Sequence, residues 1–275
     1  MNLNEIRAEF GRRMAASAGV GNDSPVAKVF SAVPRDRFVG APPWRVFGAE
    51  GEGVLVNNPA LLYQDVLVQI KGEAAINNGQ PSLHALCFAA LRVVPGEAAV
   101  HIGAGTGYYT AMLGKLVGEQ GRVDAYEIES DLAVRARENL IGMPWIHVHG
   151  ESGTAGPLPE CEVLYVSAGA TDPLDVWLDA LRVGGRLLFP LTPDEGYGGM
   201  LLVTRWKEGY AARFLCGAKF VGCEGGRDAA MGQRLTACFS KDRTAEVKSL
   251  ERGGEADETA WCAGANWWLS RRAIG

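Results

Sequence analysis

The hydrophobic pattern of the first eighty residues predicts helices followed by short, irregular pieces of structure. Apolar side chains recur at helical spacing in the opening segment, at Leu3, Ile6, Phe10 and Met14. A second, short helix is expected to begin near Ser24. Prolines and glycines then interrupt the chain, so residues 40–80 are expected to form short strands and turns that could cover a substrate.

A regular alternation of strands and helices begins at Pro81, which suits the first turn of a helix with Leu83, Leu86, Leu91 and Val94 on its apolar stripe. Short apolar runs predict strands at 98–102, 122–127, 145–149, 162–167 and 186–190. Helices are expected between them at 106–117, 130–140 and 173–181. Strands that alternate with helices predict a parallel sheet covered on both faces, which is the doubly wound α/β class.

The pattern changes after Pro190. Two strands at 200–206 and 211–221 surround a turn and predict an antiparallel hairpin, and a helix is expected at 227–239. The final residues contain Trp261, Trp267 and Trp268. These residues would pack against the sheet or cover one of its edges, or form a surface for a partner. The predicted domains are an N-terminal lobe (1–80), a cofactor-binding core (81–220) and a C-terminal extension (221–275).

Composition and charge exclude several classes of function. Of the 275 residues, 47% are hydrophobic and 21% charged, which is typical of a globular protein, and the net charge of −5 argues against a nucleic-acid surface. No apolar run reaches membrane-spanning length and no signal-peptide core is present, so we expect a cytoplasmic protein that does not bind membranes. The six cysteines lack a CxxC pair and are expected to be buried free thiols. No metal is expected, because His147 and His149 have no third ligand placed by the sequence.

A glycine-rich turn follows the strand at 98–102 and opens the next helix. Glycine tolerates positive φ and lets a ligand approach the main chain, and the amides at the helix start can face an anionic group. A dinucleotide fingerprint requires glycine or alanine at the position of Tyr108. The GxGxG spacing is instead typical of class I methyltransferases that bind S-adenosylmethionine. The candidate cofactor residues of this segment are His101, Gly103, Ala104, Gly105, Thr106, Gly107 and Tyr108.

Three further segments fall at the carboxyl ends of strands, where open α/β sheets bind ligands. Glu127 ends the second strand of the core and could accept hydrogen bonds from both ribose hydroxyls, with Ile128 beside it. Glu151 follows the third strand and could accept one from the adenine amino group. Ser167 lies at the end of the fourth strand. Together with the glycine turn, these residues predict S-adenosylmethionine as the cofactor.

The chain resembles the protein-L-isoaspartate O-methyltransferase family over residues 1–220. The resemblance is carried by residues 33–39 (VPRDRFV), 63–65 (YQD), 76–85 (INNGQPSLHA), 101–113 (HIGAGTGYYTAML), 126–140 (YEIESDLAVRARENL) and 181–191 (LRVGGRLLFPL). It implies a Rossmann-like methyltransferase fold with a mostly parallel, seven-stranded sheet. It also implies methylation of a carboxylate, in this family that of isoaspartyl residues in damaged proteins.

The candidate catalytic residues are Asn78, Gly79 and Ser82. The family usually has serine, whose hydroxyl lies beside the methyl donor and the acceptor, at the position of Gly79. Asn78 or Ser82 could replace that hydroxyl as a donor to the acceptor carboxylate, or residues 77–79 could form only a turn. Two further departures are His101, where the family commonly has an acid, and Glu151, where it has aspartate. No general base is needed, because a carboxylate with a pKa of about 4 is ionised at neutral pH.

Three functions remain open from the sequence. The first is a carboxyl O-methyltransferase that acts on isoaspartyl peptide or a related carboxylate. The second is a methyltransferase whose acceptor is a peptide natural product or another small molecule. The third is a cofactor-binding protein with little turnover, whose extension (221–275) recruits a partner. The sequence gives no oligomeric state.

Overall fold

The computed structural model describes residues 2–48, 51, 53–72 and 76–275. The helices are α1 (Leu3–Ser17), α2 (Pro25–Ala32), α3 (Pro81–Leu91), α4 (Tyr108–Val117), α5 (Ser130–Leu140), α6 (Asp175–Ala180) and α7 (Ala229–Phe239). Three short 3₁₀ helices are Arg35–Arg37, Pro59–Tyr63 and Thr244–Glu246. The strands are β1 (Trp44–Phe47), β2 (Gly53–Val56), β3 (Leu67–Val68), β4 (Ala98–Ile102), β5 (Arg122–Tyr126), β6 (Ile146–His149), β7 (Cys161–Val166), β8 (Leu181–Leu191), β9 (Gly198–Arg205), β10 (Tyr210–Ala218), β11 (Ser249–Arg252), β12 (Ala260–Ala263) and β13 (Trp267–Ser270).

The chain divides into two compact units. Unit 1 comprises Met1–Glu97 and Ala104–Glu151, and unit 2 comprises Ala98–Gly103 and Ser152–Gly275. The three domains expected from the sequence, with boundaries at 80 and 220, stay a prediction.

Unit 1 combines helices with two sets of strands. Asn2 caps α1 in a capping box with Glu5, and α1 packs against α2, where the rings of Phe10 and Phe30 meet edge to face at 5.8 Å. Strands β2, β1 and β3 form an antiparallel sheet in that order, which agrees with the short strands expected at 40–80. Strands β5 and β6 pair in parallel, with α4 packed on β5 and α5 on β6.

Unit 2 contains eight paired strands in the order β12-β13-β11-β10-β9-β8-β7-β4. The pairs β4–β7 and β7–β8 are parallel, and the pairs from β8 to β12 are antiparallel. The α/β class is confirmed, and the seven strands expected in the core are β4 to β10. The C-terminal extension adds β11, β12 and β13, because β11 pairs with β10 at Tyr210 and Leu250.

Several predicted helix boundaries differ from the structure: α6 begins at Asp175 rather than at 173, α7 begins at Ala229 rather than at 227, and the boundaries of α3 and α4 differ as well. Helix α4 begins at Tyr108 rather than at 106, because Gly107 adopts a left-handed conformation (φ 90°) as the N-terminal cap. Helix α3 ends at Leu91, and Arg92 follows it with a φ of 48°. The apolar stripe therefore stops before Val94, which is 52% exposed.

The C-terminal tryptophans pack within unit 2. Trp267 is buried, and the ring of Trp261 lies edge-on to Phe214 at 5.3 Å and to Phe239 at 5.1 Å. These contacts favour the packing interpretation over a partner surface. All six cysteines are free thiols, and five of them are buried.

The described residues contain neither a membrane-spanning helix nor a cluster of metal ligands. No helix there is both long and apolar enough to cross a bilayer. The same residues contain no group of three or more His, Cys, Asp or Glu side chains that could hold a metal ion. His149 instead contacts Asp124, with Nε2 3.1 Å from Oδ1.

Candidate functional site

The glycine turn of unit 1 places main-chain amides at the start of α4. Ala104 donates to the carbonyl of Tyr126 at 3.1 Å, which ties the turn to the end of β5. Gly105 has a φ of 57°, and a Cβ there would lie 3.3 Å from Cδ1 of Ile70. A side chain larger than hydrogen would therefore be strained at Gly105. The hydroxyl of Thr106 is buried and has no hydrogen-bond partner among the described residues.

Glu127 lies directly after β5 with its carboxylate turned to the glycine turn. Its Oε2 accepts from the N–H of Gly105 at 2.6 Å, and its Oε1 accepts from the N–H of Glu129 at 2.9 Å. Burial raises the pKa of this carboxyl, and so does the charge of Glu129, whereas main-chain N–H groups of Glu129, Gly105 and Ile128 oppose that rise. Each carboxylate oxygen has two lone pairs, so each keeps one for a ligand hydroxyl. Unit 1 therefore fits the ribose end of S-adenosylmethionine, and the buried hydroxyl of Thr106 is a further unused polar group.

Two other predicted cofactor residues of unit 1 are exposed. The side chain of Ile128 follows Glu127 and is 41% exposed, although it is apolar. Glu151 follows β6 and is also exposed. Both side chains are accessible to a ligand without rearrangement of the core.

A buried arginine fixes the loop that contains Asn78 and Gly79. Arg35 is fully buried, and its Nε donates to Oδ1 of Asn78 at 2.9 Å while Nη2 donates to the carbonyl of Gly79 at 3.0 Å. The N–H of Asn78 donates to the carbonyl of Val68 at 2.7 Å. Gly79 has a φ of 62°, and a Cβ there would lie 2.2 Å from Nε2 of His84. The imidazole of His84 therefore fills the space that a side chain at position 79 would need.

Ser82 lies at the start of α3 and interacts with an aspartate. Its hydroxyl donates to Oδ2 of Asp65 at 2.6 Å, and its N–H donates to Oδ1 of the same carboxylate at 2.8 Å. Gln80 also donates to Asp65, through Nε2 at 2.9 Å. The hydroxyl proton of Ser82 is thus already used, and a second carboxylate beside it would face the negative charge of Asp65.

The predicted residues of unit 2 form a contact of their own. Nε2 of His101 lies 3.1 Å from Oγ of Ser167, and the N–H of Ser167 donates to the carbonyl of Ile102 at 2.8 Å. Burial lowers the pKa of His101 to about 3, so the imidazole is neutral at physiological pH. Gly103 has a φ of 76°, and a Cβ there would lie 3.4 Å from the main chain of Ser167.

Two residues that no sequence pattern assigned a role are central to the contacts of unit 1. Arg35 and Asp65 both lie in segments that carry the family resemblance, 33–39 and 63–65. Their position in these two segments was the signal in the sequence that could have identified them. Their partners are 15 to 44 residues away along the chain, so no local pattern could reveal them.

Comparisons with known proteins agree on one family. The family model described as protein-L-isoaspartate(D-aspartate) O-methyltransferase matches residues 13–223, which is more than half of the chain. A protein-L-isoaspartate O-methyltransferase 2 of Marinobacter nauticus is 32% identical over 211 residues, which cover 74% of this chain and 85% of that protein. A protein-L-isoaspartate O-methyltransferase of Ignicoccus hospitalis is 29% identical over 165 residues, which cover 58% and 77%.

Solved structures show the same fold. A protein-L-isoaspartate O-methyltransferase matches 97% of this chain and 88% of its own length, with a TM-score of 0.68 and 18% identity. A putative member from Plasmodium falciparum, in complex with S-adenosyl-L-homocysteine, matches 80% of this chain and 98% of its own length, with a TM-score of 0.64 and 19% identity. The Rossmann-like methyltransferase fold expected from the sequence is confirmed.

Proposed function

The chain belongs to the protein-L-isoaspartate(D-aspartate) O-methyltransferase family and is an S-adenosylmethionine-dependent methyltransferase, and we propose that its acceptor is the carboxylate of an isoaspartyl residue in a peptide or protein. The observation that carries this proposal is the family match over residues 13–223, because it includes the glycine turn, Glu127 and the loop of Asn78 and Gly79. We call this loop, residues 77–80, the acceptor loop.

The cofactor residues proposed for unit 1 are two acids, one exposed apolar side chain and the glycine turn. Glu127 accepts from the ribose hydroxyls, Glu151 accepts from the adenine amino group, and Ile128 covers an apolar face. The cofactor lies against the turn that is formed by Ala104 and by the amides of Gly105, Thr106, Gly107 and Tyr108. In unit 2, we assign His101, Gly103 and Ser167 to the amino-acid end of the cofactor. Neutral His101 would not repel its ammonium group.

Methyl transfer requires the protein mainly to bind the cofactor and the acceptor and to orient them. S-adenosylmethionine, when bound, supplies an electrophilic methyl group on a sulfonium. An acceptor carboxylate is ionised at neutral pH, so no side chain has to remove a proton. The acceptor loop has to hold a carboxylate oxygen in line with that methyl group and keep water away from it. Of the three candidate residues, Asn78 has the polar side chain suited to this task, since Gly79 has none and Ser82 donates to Asp65.

A second acceptor class has specific support. Residues 224–275 lie beyond the family match, and Gly79 stands where the family usually has serine. Both departures favour a carboxylate in a peptide natural product or small molecule over strict repair of damaged proteins. In that case the cofactor residues keep their roles, and only the acceptor changes.

Binding and transfer can be measured on one protein preparation. S-adenosylmethionine is titrated by calorimetry, and transfer of a radiolabelled methyl group is followed to an isoaspartyl peptide and to its normal aspartyl counterpart. We expect binding, and base-labile label that releases methanol from the isoaspartyl peptide alone. Binding without label on either peptide would exclude the isoaspartyl acceptor and leave the second class. Absence of binding would leave a protein without methyltransferase turnover.

A further inference from the structure

Arg35 is a buried cation that connects three segments of unit 1. It lies in the 3₁₀ helix Arg35–Arg37 and is fully buried. Its guanidinium contacts one side chain and four main-chain carbonyls. These acceptors are Oδ1 of Asn78 (2.9 Å) and the carbonyls of Leu62 (3.0 Å), Gln64 (3.3 Å), Val66 (2.8 Å) and Gly79 (3.0 Å).

In the part of the chain that the structure describes, the charge of Arg35 has no carboxylate partner. Among the described residues, no aspartate or glutamate forms an ion pair with its guanidinium, which is stabilised only by neutral oxygens and by the ring of Tyr108, 5.8 Å away. Burial of an unpaired cation is unfavourable. The field of this charge therefore favours an anion close to the segments that Arg35 holds.

The same guanidinium fixes the orientation of the Asn78 amide. Arginine has only donors, so the amide atom that faces Nε must be the oxygen Oδ1, and the NH₂ group must point away from Arg35. Nδ2 forms no hydrogen bond with any described residue, and Asn78 is 6% exposed. The N–H bonds of Nδ2 are thus unused, and the hydrogen bond from a cation to Oδ1 strengthens them as donors.

The other two candidate catalytic positions are less suited to an anion. Ser82 already donates to Asp65, whose charge would repel a second carboxylate. A side chain at position 79 is excluded by His84, whose Nε2 would lie 2.2 Å from its Cβ. Asn78 therefore has the one side chain of the three candidates whose donors are both unused and held in a fixed orientation.

We propose that Arg35 is a positioning residue that orients the Asn78 amide so that Nδ2 donates to the carboxylate of the methyl acceptor. The inference rests on the proposed function and adds to it the residue that recognises the acceptor's charge. Asn78 contacts the acceptor, and Arg35 acts through Asn78. This pair takes the place of the serine hydroxyl that the family has at position 79.

Substitution of Asn78 separates recognition from folding. Asn78→Asp keeps the shape of the side chain but replaces the donor with an anion that pairs with Arg35. We expect a thermal midpoint equal to or above that of the wild type, unchanged affinity for S-adenosylmethionine, and a kcat/KM for the isoaspartyl peptide that falls by more than 100-fold. Asn78→Ala removes the donor alone and should lower kcat/KM by about 10- to 100-fold, mainly through KM.

Substitution of Arg35 tests whether it acts through Asn78. Arg35→Lys keeps the charge but loses the planar fork, and should lower kcat/KM while cofactor affinity is kept. Combined with Asn78→Ala, it should cause little further loss, because the amide that it orients is gone. Arg13→Met is the matched control. Arg13 also donates to the 62–66 segment, at the carbonyl of Tyr63 (2.6 Å), but not to the acceptor loop, and its loss should leave kcat/KM within about twofold.

The outcomes distinguish the inference from the proposed function. If the wild type methylates the isoaspartyl peptide and Asn78→Asp does so equally well, the inference is wrong and the proposed function holds. The positioning role would also be wrong if kcat/KM of the Arg35→Lys/Asn78→Ala protein fell by the product of the two single-variant factors, because the two residues would then act independently. A wild type that binds the cofactor but does not methylate the peptide would contradict both.

Discussion

The main-chain N–H of Gly105 donates a hydrogen bond of 2.6 Å to Oε2 of Glu127, which connects the glycine turn to the acid at the end of β5. The two residues are 22 positions apart, and the φ of 57° at Gly105 allows the amide to point at the carboxylate. The acid that we assign to ribose binding is therefore held by the turn that we assign to cofactor binding.

Replacement of Glu127 should abolish measurable cofactor binding without unfolding the protein. Glu127→Ala removes the proposed acceptor of two ligand hydrogen bonds, and bonds to a charged group contribute about 1.5–3 kcal/mol each, so we expect the dissociation constant to rise by at least about 100-fold. Calorimetric titration measures it, and circular dichroism checks the fold. Glu127→Gln should lose less cofactor affinity than Glu127→Ala. Wild-type affinity in Glu127→Ala would show that the ribose lies elsewhere.

Gly107 should tolerate alanine much less well than Gly96, although both have a φ of 90°. A Cβ at Gly96 meets nothing within 4 Å, so Gly96→Ala adds only left-handed strain, about 1–2 kcal/mol. A Cβ at Gly107 would lie 2.9 Å from Cδ1 of Leu140, which adds an overpacking cost of about 1–3 kcal/mol. Urea unfolding compares the two variants. Equal losses would mean that Leu140 moves aside freely.

Buried His101 should make the protein less stable as the pH falls below about 6.5. The folded protein keeps this imidazole neutral down to a pKa of about 3, whereas the unfolded chain takes up a proton near pH 6.5. Between these values the unfolded state binds more protons, so the free energy of unfolding decreases with falling pH by up to about 1.4 kcal/mol per pH unit.

The variant His101→Gln should flatten this dependence, because its side chain does not titrate. Urea unfolding between pH 4.5 and pH 8 gives the slopes. His147→Gln is the matched control, since His147 is exposed on β6 and its loss should leave the slope unchanged. A slope in His101→Gln as steep as in the wild type would assign the acid sensitivity to other groups.

Replacement by phenylalanine should lower the free energy of unfolding at Trp267 but not at its neighbour in β13, Trp268. Nε1 of Trp267 donates to Oδ1 of Asp172 at 2.8 Å, so Trp267→Phe leaves a carboxylate oxygen without its donor and should cost about 1–3 kcal/mol. Nε1 of Trp268 is buried and has no partner among the described residues, so Trp268→Phe should be neutral or stabilising. Thermal or urea unfolding measures both. A larger loss in Trp268→Phe would contradict the assigned contacts.

Local sequence patterns predict most helices and strands of both units, and they also locate the candidate cofactor residues along the chain. Helices and strands follow from the spacing of apolar residues, which is a local property. The strands β4 to β10 lie close to their predicted bounds, except that β8 begins at Leu181 rather than at 186. The glycine turn and Glu127 could also be found, because each occupies a fixed place relative to the strand before it. The start of α4 was misplaced by two residues, since the left-handed cap at Gly107 depends on its exact conformation.

Contacts between distant side chains could not be predicted from the sequence and are visible only in the folded chain. Arg35 reaches Asn78 across 43 residues, Asp65 takes the hydroxyl of Ser82, and His84 fills the space beside Gly79. From the sequence, either Asn78 or Ser82 could be the donor to the acceptor carboxylate. A residue type shows which hydrogen bonds a side chain can form, but it does not show which of them are already formed in the folded protein. A donor's partner is fixed by the packing of distant segments, and that packing separated an engaged serine from an amide with unused donors.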